Sequence, residues 1–102
     1  MHGIKKIERV ASYFEVWLDD PFPFAKMRVK VVERASADYL AVANLHLRDI
    51  KTGVADPTAG LGATIEEALH DLLQAFFQAT KTRNDVQPIT EACFEWAAPE
   101  DF

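Results

Sequence analysis

Residues 60–80, GLGATIEEALHDLLQAFFQAT, decide the fold class of this chain. Apolar side chains recur there every three or four residues, which is the spacing of a helix with one buried face. Thr64, followed three residues later by Glu67, is a capping box that satisfies free backbone N–H groups at the start of a helix. The stretch therefore predicts an amphipathic helix that ends at about Thr80. Gly60 and Gly62 are predicted to allow a tight entry into it.

The rest of the chain is typical of β-strands, on which this helix must pack. Residues 8–18, 24–34, 39–48 and 89–97 are rich in β-formers, and the first three alternate apolar and polar side chains. Residues 49–62 contain glycines and a proline and are predicted to form a long loop. The order β-β-β-α-β predicts an α+β fold, with an antiparallel sheet of about four strands and the helix packed on one face. The predicted core comprises Phe14, Val16, Val29, Val31, Leu45, Leu47, Leu69, Leu72, Leu73, Phe76 and Phe94.

The composition indicates one small domain over residues 1–102. Hydrophobic residues make up 49% of the chain, which is too many for a disordered protein. The single cysteine, Cys93, excludes an internal disulfide framework and favours a reducing, cytoplasmic location. The N-terminus lacks the apolar region of a signal peptide, and no apolar run approaches the roughly 20 residues that span a bilayer, so no membrane partner is expected. Residues 99–102 are predicted to be a frayed tail.

The sequence predicts neither catalysis nor a cofactor or metal site. HxH, HExxH and paired cysteines are all missing from it. His70 and Asp71 are neighbours on the predicted helix and do not face each other. Cys93 has no evident basic neighbour that would lower its pKa. We therefore expect a protein that is not an enzyme.

The polar face of the predicted sheet collects basic and aromatic side chains if the first three strands are adjacent. An exposed tryptophan on an open sheet usually packs against a partner, which favours a protein-binding or self-association surface. Basic residues beside exposed rings are also typical of single-stranded nucleic-acid binding. A simply solvated face, with Glu15 pairing across strands, is the third interpretation. The candidate binding residues are Tyr13, Trp17, Lys26, Arg28, Lys30, His46 and Arg48.

A local pattern in the helix resembles the N-terminal domain of HicB-type antitoxins, in which a G-x-T-x-E-E-A-L helix follows short strands. The matching positions are Gly62, Thr64, Glu66, Glu67, Ala68 and Leu69. The resemblance extends from Asp38 to Phe77 and implies a fold that is partly like a double-stranded-RNA-binding domain. The chain lacks that family's usual Pro-x-x-P-G-C type turn and its C-terminal DNA-binding segment.

Small size, a polar face with exposed aromatic residues and the missing catalytic pattern together predict a function. We expect a non-catalytic protein-interaction module of the antitoxin, immunity or phage-type adaptor class. Its partner is predicted to be another protein or a second copy of the chain. The alternative is single-stranded nucleic-acid binding by the same face, which the formal net charge of −5 disfavours.

Overall fold

A computed structural model describes residues 2–102 as a main sheet of four antiparallel strands, a second sheet of three strands, and one long helix. The main sheet has the order β1-β2-β3-β6 and the second sheet the order β5-β4-β7. The predicted α+β fold is confirmed. The elements are β1 (Arg9–Trp17), β2 (Lys26–Glu33), β3 (Tyr39–Ala43), β4 (Leu45–Arg48), β5 (Ala55–Asp56), β6 (Ala59–Gly62), α1 (Ile65–Val86) and β7 (Phe94–Trp96).

The helix begins at the predicted residue and continues past Thr80 to Val86. The Thr64 hydroxyl accepts a hydrogen bond from the Glu67 N–H at 3.1 Å, and the Glu67 carboxylate accepts from the Ala63 N–H at 2.9 Å. This is a capping box that reaches one residue further back than usual. No helix among residues 2–102 is long and apolar enough to cross a membrane.

The two glycines before the helix serve close packing. Both belong to β6, which lies directly beneath α1. A Cβ atom on Gly60 would lie 2.3 Å from the backbone nitrogen of Leu72, and one on Gly62 would lie 2.5 Å from that of Ala68. The structure therefore gives the glycines another role than the predicted tight entry into the helix. They allow β6 to approach the helix backbone, where a Cβ atom would clash.

The core lies between α1 and the face of the main sheet that it covers. Leu72 and Phe76 from the helix and Val29 and Val31 from β2 are fully buried. Every residue of the predicted core belongs to this cluster or packs against it. The sequence pattern therefore assigned the buried faces of β2 and α1 correctly.

The strand pattern differs from the prediction in three places. Residues 39–48 form two strands, since the chain leaves the main sheet at Asn44 and continues in the second sheet. The predicted loop 49–62 contains β5 and β6, and β6 supplies the fourth strand of the main sheet. The predicted strand 89–97 is reduced to β7, which pairs with β4.

Asn44 holds the junction between the two sheets. Its side-chain oxygen accepts a hydrogen bond from the Arg28 N–H at 2.9 Å, and its own N–H donates to the Arg28 carbonyl at 3.0 Å. Its carbonyl accepts from the Ala97 N–H at 2.8 Å. One asparagine thus ends the pairing of β3 with β2 and fixes where the chain after β7 meets the sheet.

Candidate interaction surface

Four of the predicted binding residues lie together on the face of the main sheet that points away from α1, called here the outer face. Cross-strand pairing puts Trp17 opposite Lys26, and Glu15 opposite Arg28. The aromatic rings are open to solvent, since Tyr13 is 56% exposed and Trp17 is 71% exposed. We call Tyr13, Trp17, Lys26 and Arg28 the aromatic–basic strip.

Each cation of the strip lies over an aromatic ring. The Lys26 Nζ is 4.9 Å from the centroid of the Trp17 ring, and the Arg28 Cζ is 5.8 Å from that of Tyr13. Such contacts contribute about 0.5–1 kcal/mol at exposed sites. They favour defined orientations of the two rings, both of which stay more than half exposed.

Glu15 lies between the two cations and reduces the positive charge of the strip. Its carboxylate accepts a hydrogen bond from Arg28 at 2.8 Å and lies 3.7 Å from the Lys26 Nζ. The Arg28 hydrogen bond is the main reason that the pKa of Glu15 is lowered from its ordinary value. The carboxylate is therefore ionised at neutral pH, and two cations and one anion leave the strip with one excess positive charge.

Lys30 lies on the same face but is covered. Its side chain is only 7% exposed, and its Nζ lies 3.3 Å from the Glu8 carboxylate. The Nζ also donates to the main-chain oxygen of Phe102 and lies 5.1 Å from the centroid of that ring. Phe102 in turn lies 6.4 Å from Tyr13, centroid to centroid. The segment predicted to be a frayed tail is therefore packed on the sheet.

His46 and Arg48 lie on β4, in the second sheet, so the face predicted from three adjacent strands is divided. Arg48 donates hydrogen bonds to the Glu95 carboxylate at 3.1 Å and to the main-chain oxygens of Phe94 and Gly53. These bonds tie the second sheet and its loop together. Arg48 is therefore engaged in local structure and lies apart from the strip.

His46 lines a cavity between the outer face and the second sheet. The cavity has a volume of about 730 Å³, and Leu40 and Val42 from β3 contribute apolar side chains to it. The His46 Nδ1 is buried without a hydrogen-bond partner among residues 2–102, and burial lowers the pKa of this imidazole. Phe102 and Lys30 line the same cavity, so the covered lysine borders it.

Trp96 is a surface residue, although its i, i+2 spacing from Phe94 predicts that both rings point inward. Trp96 is 44% exposed, whereas Phe94 is buried. Together with Lys26, Arg28 and Asn44 it lines a shallow hollow of about 280 Å³ beside the strip. Phe94 and Trp96 point to the same side of β7, and both rings contact Phe24, but Phe94 lies within the core cluster whereas Trp96 lies at its margin.

The edge of the main sheet beside the strip is open. β1 has β2 on one side and no strand neighbour on the other side within residues 2–102. Exposed apolar side chains gather along it and the segment before it, namely Ile4, Ile7, Val10, Tyr13 and Trp17. An unpaired strand with exposed apolar side chains is a ready template for pairing with another chain.

Cys93 lies near a basic residue, Arg83, which the sequence did not reveal. Its sulfur accepts a hydrogen bond from the Thr90 N–H at 3.5 Å. That bond, with a smaller contribution from Arg83, lowers the pKa of the thiol. Threonine and arginine cannot act as general bases, so these contacts do not form a catalytic pair.

Comparison of the chain with protein-family models, curated protein sequences and solved structures gives no match.

Proposed function

We propose that this protein is a non-catalytic protein-interaction module whose partner adds an extended segment to β1 and rests its side chains on the aromatic–basic strip. One observation carries the proposal: the unpaired strand β1 itself bears the exposed rings Tyr13 and Trp17. Main-chain hydrogen bonds to an open edge supply affinity in this mode of binding, and side-chain contacts on the adjacent face supply specificity.

The charge of the strip favours a partner segment that is apolar and acidic. Lys26 and Arg28 face one carboxylate, Glu15, and so leave one positive charge unbalanced. Tryptophan, tyrosine and arginine are the residues that most often dominate binding energy at protein interfaces. The strip presents all three within two adjacent strands. A second copy of the chain could use the same edge, which makes self-association the variant of this proposal to test first.

The antitoxin, immunity or phage-type adaptor class remains the biological setting that we propose. The resemblance of residues 38–77 to HicB-type antitoxins supports it, since such proteins act by binding a partner protein. The single cysteine supports a cytoplasmic location.

The positions of the basic side chains support nucleic-acid binding less than they support protein binding. Lys30 is covered by Phe102, and Arg48 belongs to the second sheet. Lys26 and Arg28 alone would neutralise two phosphates, so the affinity for a single strand would fall with salt at a slope of about −1.4. A groove that tracks a nucleic-acid backbone normally offers more positive charge than this.

Selection from a displayed library of short random peptides tests the proposal. We expect enrichment of peptides that combine acidic and aromatic residues. Their binding should weaken about tenfold or more in Trp17→Ser, because a central aromatic contact is lost. Leu61→Ser is the matched control, since Leu61 is also exposed on the outer face but lies on β6. Peptide binding that survives both Trp17→Ser and Arg28→Ala would show that the strip is not the site.

Two further measurements separate the alternatives. Light scattering over a dilution series detects a dimer, and a dimer that Trp17→Ser disrupts would identify a second copy as the partner. Titration of an oligonucleotide at low salt, in a Trp96→Phe background where emission reports Trp17 alone, tests nucleic-acid binding. Quenching that disappears in Arg28→Ala would favour nucleic acid over protein.

A further inference from the structure

Phe102 makes three contacts with the outer face that resemble those of a bound ligand. Its ring lies 5.1 Å from the Lys30 Nζ and 6.4 Å from the Tyr13 ring. Its main-chain oxygen accepts a hydrogen bond from the same Nζ. Aromatic contact and hydrogen bonding to one ammonium group thus come from a single residue.

Lys30 needs such a partner because its charge is buried. A buried ammonium is costly unless acceptors surround it. Glu8 supplies one acceptor at 3.3 Å, and Phe102 supplies the second. Tyr13, Lys30 and Glu8 therefore form a small site that is complementary to an aromatic ring with an oxygen next to it.

The segment that carries Phe102 is held by few other contacts. Residues 99–101 form a single 3₁₀ turn with no buried residue, and Glu100 and Asp101 are exposed. The backbone bonds of this turn are local, from Asp101 to Ala98 and from Phe102 to Pro99. The cavity of about 730 Å³ lies beside the ring. Segments with so few buried contacts open at a small fraction of the global unfolding free energy.

We infer that Tyr13, Lys30 and Glu8 form an aromatic-binding subsite of the strip, and that Phe102 is an internal occupant which the partner segment displaces. The inference rests on the proposed function, because Tyr13 belongs both to the subsite and to the strip. It specifies the partner further. The partner segment carries an aromatic residue, and a main-chain or carboxylate oxygen of that residue faces Lys30. Competition with Phe102 lowers the apparent affinity by the fraction of molecules in which the subsite is free.

A peptide with the sequence of residues 97–102, AAPEDF, is the probe, and the full-length Phe102→Ala variant is the receptor. We expect the peptide to bind Phe102→Ala about tenfold more tightly than the unaltered protein, in which Phe102 occupies the subsite. The control peptide AAPEDA should bind neither protein. Circular dichroism should show that Phe102→Ala is folded, since Phe102 lies outside the core.

Chemical acylation of Lys30, measured by mass spectrometry, gives a second readout that does not depend on the peptide alone. Lys30 should be protected in the unaltered protein, reactive in Phe102→Ala, and protected again when AAPEDF is added. Equal reactivity of Lys30 in both proteins, or equal binding of the two peptides, would overturn the inference.

The two proposals fail separately. Library peptides that bind through Trp17 with the same affinity in Phe102→Ala and in the unaltered protein would refute the subsite and leave the proposed function standing. Binding of AAPEDF to Phe102→Ala without any Trp17-dependent peptide would support the subsite and refute the proposed function.

Discussion

The two faces of the main sheet come from the same strands but have opposite properties. In β2, the residues Met27, Val29 and Val31 point toward α1 and are fully buried, while Lys26 and Arg28 point the opposite way, to solvent. The helix covers the first face with tightly packed apolar side chains. The outer face is covered only in part, by the second sheet and by Phe102. Alternation along one strand thus separates the residues that stabilise the fold from those available for binding.

The same substitution on the two faces should have very different effects on stability. Leu72 is fully buried under the sheet, so Leu72→Ala should lower the free energy of unfolding by about 2–5 kcal/mol through lost burial and a cavity. Leu61 is 48% exposed on the outer face, and Leu61→Ala should cost less than about 1 kcal/mol. Urea unfolding monitored by circular dichroism measures both values. Equal losses would contradict the assignment of the faces.

The glycine contacts under the helix can be tested by adding one methyl group. Gly60→Ala would bring its Cβ within 2.3–2.8 Å of backbone atoms of α1, and we expect a loss of about 3 kcal/mol. The control is Gly53→Ala, where a left-handed φ of +73° costs about 1 kcal/mol, but where the new Cβ meets no atom of residues 2–102 within 4 Å beyond its two chain neighbours. Thermal unfolding of both variants compares a steric clash with conformational strain. A Gly60→Ala protein as stable as the unaltered chain would mean that β6 packs less closely on α1.

On the outer face, side-chain removal should hardly change stability. A double-mutant cycle of Trp17→Ala and Lys26→Ala isolates the cation–π contact, and we expect a coupling energy of about 0.5 kcal/mol. Chemical denaturation of the four proteins gives this value. A coupling above about 2 kcal/mol would show that the strip contributes to the fold as the helix-covered face does.

The smallest expected effect is electrostatic. Arg28→Ala should raise the pKa of Glu15 toward its ordinary value, because the main hydrogen bond to the ionised carboxylate is lost. The lowered pKa means that this bond stabilises the folded state above the unfolded pKa of Glu15, and that the stabilisation is lost as the pH falls through the folded value. Carbon-13 NMR of the carboxyl groups measures the shift. Asp38, whose pKa of about 2 depends on Arg34 and Ser36, is the internal control and should not move.

The sequence predicted the elements whose apolar periodicity comes from packing against a single neighbouring layer. The faces of β2 and α1 follow from their periodicity, and so does the core between them. Periodicity could not reveal that residues 39–48 change sheets, because the apolar alternation continues unbroken through Leu45 and Leu47. The change depends on Asn44 and on hydrogen-bond partners from distant parts of the chain.

Two other regions were misread for related reasons. The four residues of β6, AGLG, have no strand propensity. Their glycines are required by the close contact with the helix backbone. Residues 99–102 look like a flexible end, but Phe102 contacts Lys30. The sequence placed Lys30 on the correct face of β2, but its spacing could not show that Phe102 covers it. Of the candidate binding residues, the four of the strip lie on one face, as the alternation predicted. His46 and Arg48 belong to the second sheet, and Lys30 is covered by Phe102.

The hydrogen bond from the Leu61 N–H to the Asp71 carboxylate, 2.9 Å long, has a consequence for assembly. It occupies the far edge of the main sheet with a side chain of the helix, and the outer strands of the second sheet are only two and three residues long. A sheet with one long open edge can be extended once. Strand pairing between copies through β1 would therefore close into a two-fold dimer, and would leave no equivalent edge on which a filament could grow.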